Sequence, residues 1–288
     1  MIIKANAKIN LAMDVISKKE DEHHDLDMVV FPIDLHDVLE IVPVPGSTDM
    51  YLTVDDPTII QDETNLAYKA FDAMRRTFSM KHGYRIQIFK RIPTASGLGG
   101  ASADAAGVIR TLCKAYRIPI SDQRVIDAAE AVSPNIPFSL MNIPARVKGT
   151  GEVIEPLTKI RFEYGVLIVK PRIPLDSKAV FDAYDKLPST DRVHPNIPAL
   201  LSALERGDEG MIKRNMVNSL LKPAEILCPT IGEILTQLDH MGFPLYAMSG
   251  SGSACFGLTK DMEALKRAVA YFNSQGLVAV ASSTKVSK

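Results

Sequence analysis

Tyr84, Ile86 and Ile88 alternate with Arg85 and Gln87, and this strand pattern runs into Pro93-Thr94-Ala95-Ser96-Gly97-Leu98-Gly99-Gly100-Ala101-Ser102-Ala103-Asp104-Ala105-Ala106. The segment joins a turn almost bare of side chains to an apolar helix that the pattern carries from Ser102 to Tyr116. A strand, a glycine turn and a helix in that order commit the chain to a mixed α and β architecture. They also make a place to hold phosphate. Gly97, Gly99 and Gly100 permit positive φ and close approach by a ligand, while free N–H groups at the helix start supply donors and a favourable dipole. Plain tight turns use glycine too, so on these residues alone both readings stand.

The 288 residues, 46% of them hydrophobic, suffice for one large or two ordinary domains, and two is the expectation. Lys and Arg number 33 against 34 for Asp and Glu, so the electrostatic footprint of a general nucleic-acid binder is missing. Cys113, Cys228 and Cys255 are far apart with no C-x-x-C pair, which argues against a disulfide framework or structural zinc and fits a reducing cytoplasm. Met1 to Lys8 interrupts its apolar residues too often for a secretory core, and no later window carries the roughly 18 apolar residues of a membrane span. The expectation is a cytoplasmic protein with a small-molecule substrate, neither nucleic acid nor membrane as partner, and nothing against a homodimer.

Extended patterns cover 2–15, 38–44 and 49–54, with Pro45-Gly46 as the turn between the last two. Ala67, Ala70, Phe71, Met74 and Phe78 make one helical face over 64–78, with Thr64 or Asn65 placed to cap it. A short helix follows at 123–132, then an irregular loop bracketed by Pro134 and Pro137, then strands at 145–148 and 152–156. A boundary at 157–162 divides a domain of residues 1–157 from one of residues 163–288. In the latter, strands are expected at 164–170, 245–248, 254–258 and 277–281, and helices at 177–185, after Pro195 and Pro198, and at 211–221, 228–241 and 261–272. Ile231, Ile234, Leu235, Leu238 and Met241 form a core stripe that Gly242 ends.

The familiar nucleotide motifs fit poorly. Gly97-Leu98-Gly99-Gly100 is not Gly-x-Gly-x-x-Gly, and Ala101-Ser102 stands where a P-loop needs Lys then Ser or Thr. Ser102 has three readings: helix cap, phosphate contact or Mg²⁺ ligand. Asp104 is either a favourable first-turn charge or a group behind the phosphate site.

Pro93 to Ala106 resembles the second motif of the GHMP kinase superfamily (galacto-, homoserine, mevalonate and phosphomevalonate kinases), in which Pro-x-x-x-Gly-Leu-Gly-Ser-Ser-Ala wraps the ATP phosphates. Two further blocks, in order along almost the full length, are similar to the superfamily branch that acts on a diphosphocytidyl-linked sugar alcohol of the non-mevalonate isoprenoid pathway. One is Ala7-Lys8-Ile9-Asn10-Leu11, continuing through Lys18-Lys19-Glu20-Asp21 and His24-Asp25-Leu26 to Asp34-Leu35-His36-Asp37-Val38-Leu39. The other is Met248-Ser249-Gly250-Ser251-Gly252-Ser253-Ala254-Cys255-Phe256-Gly257, approached by Asn218-Ser219-Leu220-Leu221-Lys222-Pro223-Ala224. The resemblance implies an α+β, two-layer fold with an N-terminal ribosomal-protein-S5-domain-2-like domain and a C-terminal ferredoxin-like domain. It implies an ATP-dependent kinase using Mg²⁺, with the triphosphate on the Pro93–Asp104 segment in a cleft closed by the Gly-Ser turn, and with Asn65 near adenine. It places the active-site lysine at Lys8. Asn10, on the same strand face as Lys8, joins His23, His24, Gly250, Ser251 and Gly252 at the acceptor.

Two departures bear on this. Where the branch has Gly-Ala-Asp-Val-Pro-Phe with Asp as base, this chain has Ser133-Pro134-Asn135-Ile136-Pro137-Phe138. An amide orients a hydroxyl but does not take its proton. Homoserine kinase is similar in having Asn there, and phosphoryl transfer proceeds largely by positioning and charge stabilisation. The second is Asp21-Glu22-His23-His24-Asp25 in place of Asp-Gly-Tyr-His-Glu. His24 keeps the imidazole tied to cytosine recognition, whereas His23 replaces a stacking Tyr, a contact worth roughly 1–3 kcal/mol. As neighbours on a strand the two histidines point oppositely, which disfavours a metal site. A kinase for another small alcohol and a catalytically silent relative therefore stand beside the main expectation.

Overall fold

The computed structural model describes residues 1–286, so the expected C-terminal domain, drawn to 288, ends two positions outside the described residues. Its contacts group the chain into two units, each discontinuous in sequence: Met1–Ala7, His36–Ile92 and Gly99–Asn142 form the first, and Lys8–Leu35, Pro93–Leu98 and the chain from Ile143 onward form the second. Two long strands, β1 (Ile2–Lys18) and β2 (His24–Val44), contribute residues to both.

In the first unit, Val38–Val44 of β2 runs antiparallel to β4 (Gly83–Phe89), which pairs in parallel with β3 (Met50–Val54) on its other side. The Pro45-Gly46 turn therefore leads from β2 to a strand two places away. Four helices accompany these strands: α1 (Leu66–Thr77), α2 (Gly100–Tyr116), α3 (Gln123–Val132) and α4 (Ile136–Met141). Helix α2 packs on α1 and α4, and α1 on α3. Its turns from Ser102 to Ile109 are buried throughout, as befits a helix of small and apolar residues. Gly107 keeps it close to the strands, since a Cβ there would lie 3.1 Å from Leu39. Of the two expected caps, Asn65 is the one used: its Oδ1 accepts from the Ala67 N–H at 2.9 Å.

Three expectations are corrected here. Ser102 is not the cap of α2; Gly99, at φ 76°, is the N-cap, without a side-chain hydrogen bond. The loop bracketed by Pro134 and Pro137 is shorter than expected: Pro134 and Asn135 form a turn and α4 starts at Ile136, because Pro137 falls in its first turn, where its missing N–H costs nothing. The single helix over 211–221 is two, α7 (Glu209–Asn215) and α8 (Leu221–Leu227). Between them Val217 and Ser219 bond the backbone of Met13, which pulls the chain out of helical geometry.

In the second unit, Leu26–Val30 of β2 pairs antiparallel with β5 (Ala145–Gly149), and β5 with β6 (Val153–Pro156). The remaining strands, β7 (Gly165–Lys170), β8 (Leu245–Met248), β9 (Cys255–Thr259) and β10 (Val278–Ser283), form an antiparallel sheet in the order β10-β7-β9-β8. Fourth-first-third-second, with helices after the first and third strands, is ferredoxin-like topology. The helices are α5 (Ser177–Asp185), α6 (Ile197–Arg206), α7, α8, α9 (Thr230–His240) and α10 (Met262–Ser274). Ile231, Ile234 and Leu238 bury the predicted stripe of α9, and Gly242 follows it at φ 77°.

Candidate active site

The richest constellation of predicted residues lies in the second unit. Lys8 and Asn10 point the same way from β1, and the Lys8 ammonium donates to Asn10 Oδ1 and to the carbonyl of Gly97. The same carbonyl accepts from Ser249 Oγ at 3.1 Å, while Ser249 Oγ accepts from the Asn10 N–H at 3.3 Å. Ala254 N–H bonds the Ser96 carbonyl at 3.1 Å. The strand, the start of the glycine turn and the Gly-Ser turn are thus one hydrogen-bonded cluster. Gly97, at φ 73°, has no room for a side chain, since a Cβ would stand 2.1 Å from the Ser249 carbonyl. Gly250, at φ 59°, would bring one within 3.1 Å of the Lys8 ammonium.

No carboxylate pairs with Lys8 among the described residues. Burial pushes its pKa down from 10.5 to about 7. An amine so placed is poised to gain its charge when an anion arrives.

Asn218, missed as a positioning group although it stands in a block that carries the resemblance, clamps the Gly-Ser turn. Its buried amide donates to the carbonyls of Met248 at 3.0 Å and Gly250 at 2.8 Å, and its Oδ1 accepts from the Leu220 N–H at 2.9 Å. Ser251 Oγ meets Ser177 Oγ at 2.7 Å, and Gly252 adopts φ 84°.

The two histidines divide sharply. His23 is exposed, its ring 3.3 Å from Asp21, and no aromatic ring faces it among the described residues. His24, its side chain only 8% exposed, stacks on Phe181 with centroids 4.5 Å apart and planes at 25°, and places Nε2 2.9 Å from Asp185. Glu22 occupies the turn at φ 69°, a conformation costing an L residue roughly 1–2 kcal/mol. The aromatic ring nearest the pair, Phe181, lies on His24 rather than on His23.

In the glycine-turn segment, Ser96 is buried with its hydroxyl on the Pro93 carbonyl at 2.6 Å, Thr94 and Ala95 are exposed, and Leu98 is buried. In the first unit, Gly100, Ala101 and Ser102 begin α2 with no side-chain cap on their amides. Asp104, four residues into that helix, is engaged by Lys90: Nζ lies 2.7 Å from Asp104 Oδ2 and also contacts Asp37. Asp37, fully buried, takes the backbone N–H groups of Arg91 and Ile92 at 2.5 and 2.8 Å. Lys90 therefore stands against two carboxylates and neutralises one. Burial foremost, and the neighbouring Asp37, push the Asp104 carboxyl up to about 7, with Lys90 opposing. This triad was not foreseen, since Lys90, Asp37 and Asp104 are widely spaced and none breaks a pattern.

Asn65, besides capping α1, donates to the Ile60 carbonyl at 2.8 Å. Asn135 is the N-cap of α4, exposed, and its side-chain amide makes no hydrogen bond among the described residues. No cluster of three or more metal-ligating side chains occurs among the described residues, and no helix is long and apolar enough to cross a membrane.

A lysine free of carboxylate partners among the described residues and bonded to the start of a glycine turn fits a phosphoryl-transfer class of protein, and similarity to known proteins agrees. The model of the GHMP kinases N terminal domain matches residues 65–150 and that of the GHMP kinases C terminal matches residues 200–277, more than half of the chain. The chain belongs to the GHMP kinase family and is an ATP-dependent small-molecule kinase. It is 33% identical over 258 residues to a 4-diphosphocytidyl-2-C-methyl-D-erythritol kinase of Caldicellulosiruptor bescii, covering 90% of this chain and 89% of that one. A kinase of the same name from Clostridium botulinum is 34% identical over 274 residues, 95% of each chain. Among solved structures, a 4-(cytidine 5'-diphospho)-2C-methyl-D-erythritol kinase superposes with a TM-score of 0.81 at 30% identity over 98% of both chains. A homoserine kinase from Cytophaga hutchinsonii shares the fold, with a TM-score of 0.77 at 17% identity over 99% of this chain and 94% of that one.

Proposed function

We propose that this chain transfers the γ-phosphoryl group of ATP to the 2-hydroxyl of 4-diphosphocytidyl-2-C-methyl-D-erythritol, giving the 2-phosphate and ADP, in isoprenoid precursor biosynthesis in the cytoplasm. The observation that carries the reading is similarity to kinases of that name over about nine tenths of the chain. Residues 1–157 would form the ATP-binding domain and 163–288 the C-terminal domain.

The roles follow from the chemistry of each group. Main-chain amides from Ser96 to Ser102, in the segment Pro93 to Asp104, hold the phosphates, and Asn65 lies near adenine. Lys8 compensates charge on the transferring phosphoryl group. Asn10 orients the lysine and the acceptor, alongside His23, His24, Gly250, Ser251 and Gly252. Asn135, with its amide unengaged, orients the attacking hydroxyl. The residues fit Mg²⁺ only as a companion of the triphosphate. They offer the buried Ser102 hydroxyl rather than a carboxylate cage, which suits an ion that keeps most of its shell of water and phosphate oxygens. When bound, it neutralises charge on the β- and γ-oxygens.

A second reading, a kinase for a different small alcohol, is favoured by Asn135 where the branch has Asp and by Glu22-His23 where it has Gly-Tyr. Incubation with ATP and Mg²⁺, with and without the cytidine compound, separates the two. Acceptor-dependent ADP release with a product heavier by one phosphoryl group is expected. ATP binding without turnover of that compound, together with turnover of another alcohol, contradicts the proposal.

A further inference from the structure

Helix α4, six residues long, is too short to hold its own place, so whatever fixes it decides where Asn135 sits. The last carbonyls of a helix lack intrahelical partners, and that of Ser139 accepts from Arg110 Nη1 at 2.6 Å. The other arm of the same guanidinium, Nη2, donates to the carbonyl of Lys4 on β1 at 3.1 Å. Asn142, the C-cap of α4 at φ 49°, adds a second tie to β1, its amide donating to Asn6 Oδ1 at 3.2 Å. Gly107, one turn before Arg110, sets α2 against Ile3 and Ala5 of the same strand. All of these residues lie in the first unit.

No carboxylate answers the half-buried Arg110 charge among the described residues, and burial alone holds its pKa below the ordinary arginine range. A guanidinium so placed costs stability, and what it returns is the joining of two carbonyls from different elements. Its charge also complements the C-terminal end of the α4 dipole. Ser139, whose carbonyl Arg110 holds, donates from Oγ to the Asn135 carbonyl at 3.4 Å. Beyond that, the N-terminal end is held by little. Asn135 caps α4 without a side-chain bond, its N–H meets Ser133 Oγ only at 3.5 Å, and its amide stands exposed. Pro137, in the first turn, stiffens the piece between the two ends. The aim of the Asn135 amide is therefore set from the C-terminal end of its helix, where Arg110 grips.

Resting on the functional reading above, we infer that Arg110 is a positioning residue for phosphoryl transfer: it locks α4 to α2 and β1, and so fixes the hydroxyl-orienting Asn135 relative to the amides that begin α2. One helix then serves both halves of the reaction, with the proposed phosphate amides at Gly100 to Ser102 and Arg110 about 15 Å further along the axis. Arg110 acts through Asn135 and not on the substrate itself.

A double-variant cycle tests this, scored on the cytidine compound or, failing turnover of it, on whichever alcohol the wild type phosphorylates. Arg110→Met removes both donors and should lower kcat about 30-fold, with KM for ATP and for the acceptor within about two-fold, since about 1 Å of misplacement can cost on the order of 100-fold. Asn135→Ala should lower kcat at least as much, and adding Arg110→Met to it should change kcat by no more than about two-fold. A merely structural arginine would instead bring its loss to both backgrounds. Arg110→Lys, which keeps the charge but reaches one carbonyl, should recover part of the rate. Thermal melting checks that each variant folds, and if Arg110→Met does not, Arg110→Lys takes its place in the cycle with a several-fold loss. Wild-type kcat in either single variant, or the same loss from Arg110→Met on both backgrounds, overturns the inference while the kinase reading stands. Turnover of another alcohol but not of the cytidine compound sinks the functional reading alone. A wild type that phosphorylates no alcohol sinks both.

Discussion

Replacing Lys8 with methionine is expected to lower kcat/KM by about 1,000-fold, roughly 4 kcal/mol of transition-state stabilisation, while ATP affinity changes only a few-fold. In the proposed roles the ammonium acts where charge develops during transfer, and the backbone amides assigned to the ground-state triphosphate are untouched. The wild-type pH profile follows from the same amine. Its pKa of about 7 in the folded chain means that kcat/KM, which reports the free enzyme, falls as pH rises through that value. The kcat profile should hold to higher pH, because bound phosphate favours the charged form. Stability carries an independent signature. The unfolded chain, with the ordinary lysine pKa of 10.5, binds the proton that the folded chain gives up, so this residue makes wild-type stability rise between pH 7 and 10.5. Lys8→Met removes that slope. Whatever the lost contact with Asn10 costs, the stability difference, variant minus wild type, should shrink steadily as pH rises across the window. A difference independent of pH, measured by denaturant titration, would show that the amine is not buried as described.

Lys90→Met is expected to cost about 3–5 kcal/mol, because it leaves Asp37 and Asp104 facing each other without a cation in a region closed to water. For a chain of this size that is a fall in Tm on the order of 10 °C. Asp104→Asn on that background should recover much of the loss, since one carboxylate then remains and the amide can donate to it. In the wild type, Asp104 has its pKa raised from 3.8 to about 7, so its contribution to stability declines as pH rises from about 4 through 7. Asp104→Asn alone should flatten that decline with little cost at acidic pH. Equal thermal stability of Lys90→Met and wild type would contradict the triad. Because Asp104 lies in the second turn of the helix whose first amides are proposed to hold phosphate, a weaker affinity for ATP is expected alongside.

The order of elements was legible almost throughout, because it depends on local periodicity and on the residues that end helices and turns. Helices α3 and α5 coincide with the expected spans, and the stripe of α9 stops at Gly242 as its conformation requires. The failures have two causes, one long-range and one local. Residues 216–220 read as helix until Met13 and the Gly-Ser turn, far away in sequence, claim their hydrogen bonds. Pro137 reads as a helix breaker, yet a proline in the first turn is no breaker. At the candidate site, Lys8, Asn10 and the two glycine clusters were legible because small residues and a strand lysine stand out in sequence. Their convergence on the Gly97 carbonyl was not. Phe181 and Asp185 read in sequence as ordinary positions of a helix over 177–185, although their spacing with Ser177 marks one face. Nothing in the neighbourhood of Lys90 pointed across to Asp37 and Asp104.

Backbone amide hydrogen exchange, followed with and without ATP and Mg²⁺, tests the central claim most directly. If the amides from Ser96 to Ser102 hold the phosphates, exchange there slows on ATP addition. ATP bound by calorimetry, with exchange across 96–102 unchanged and protection appearing elsewhere, would contradict it.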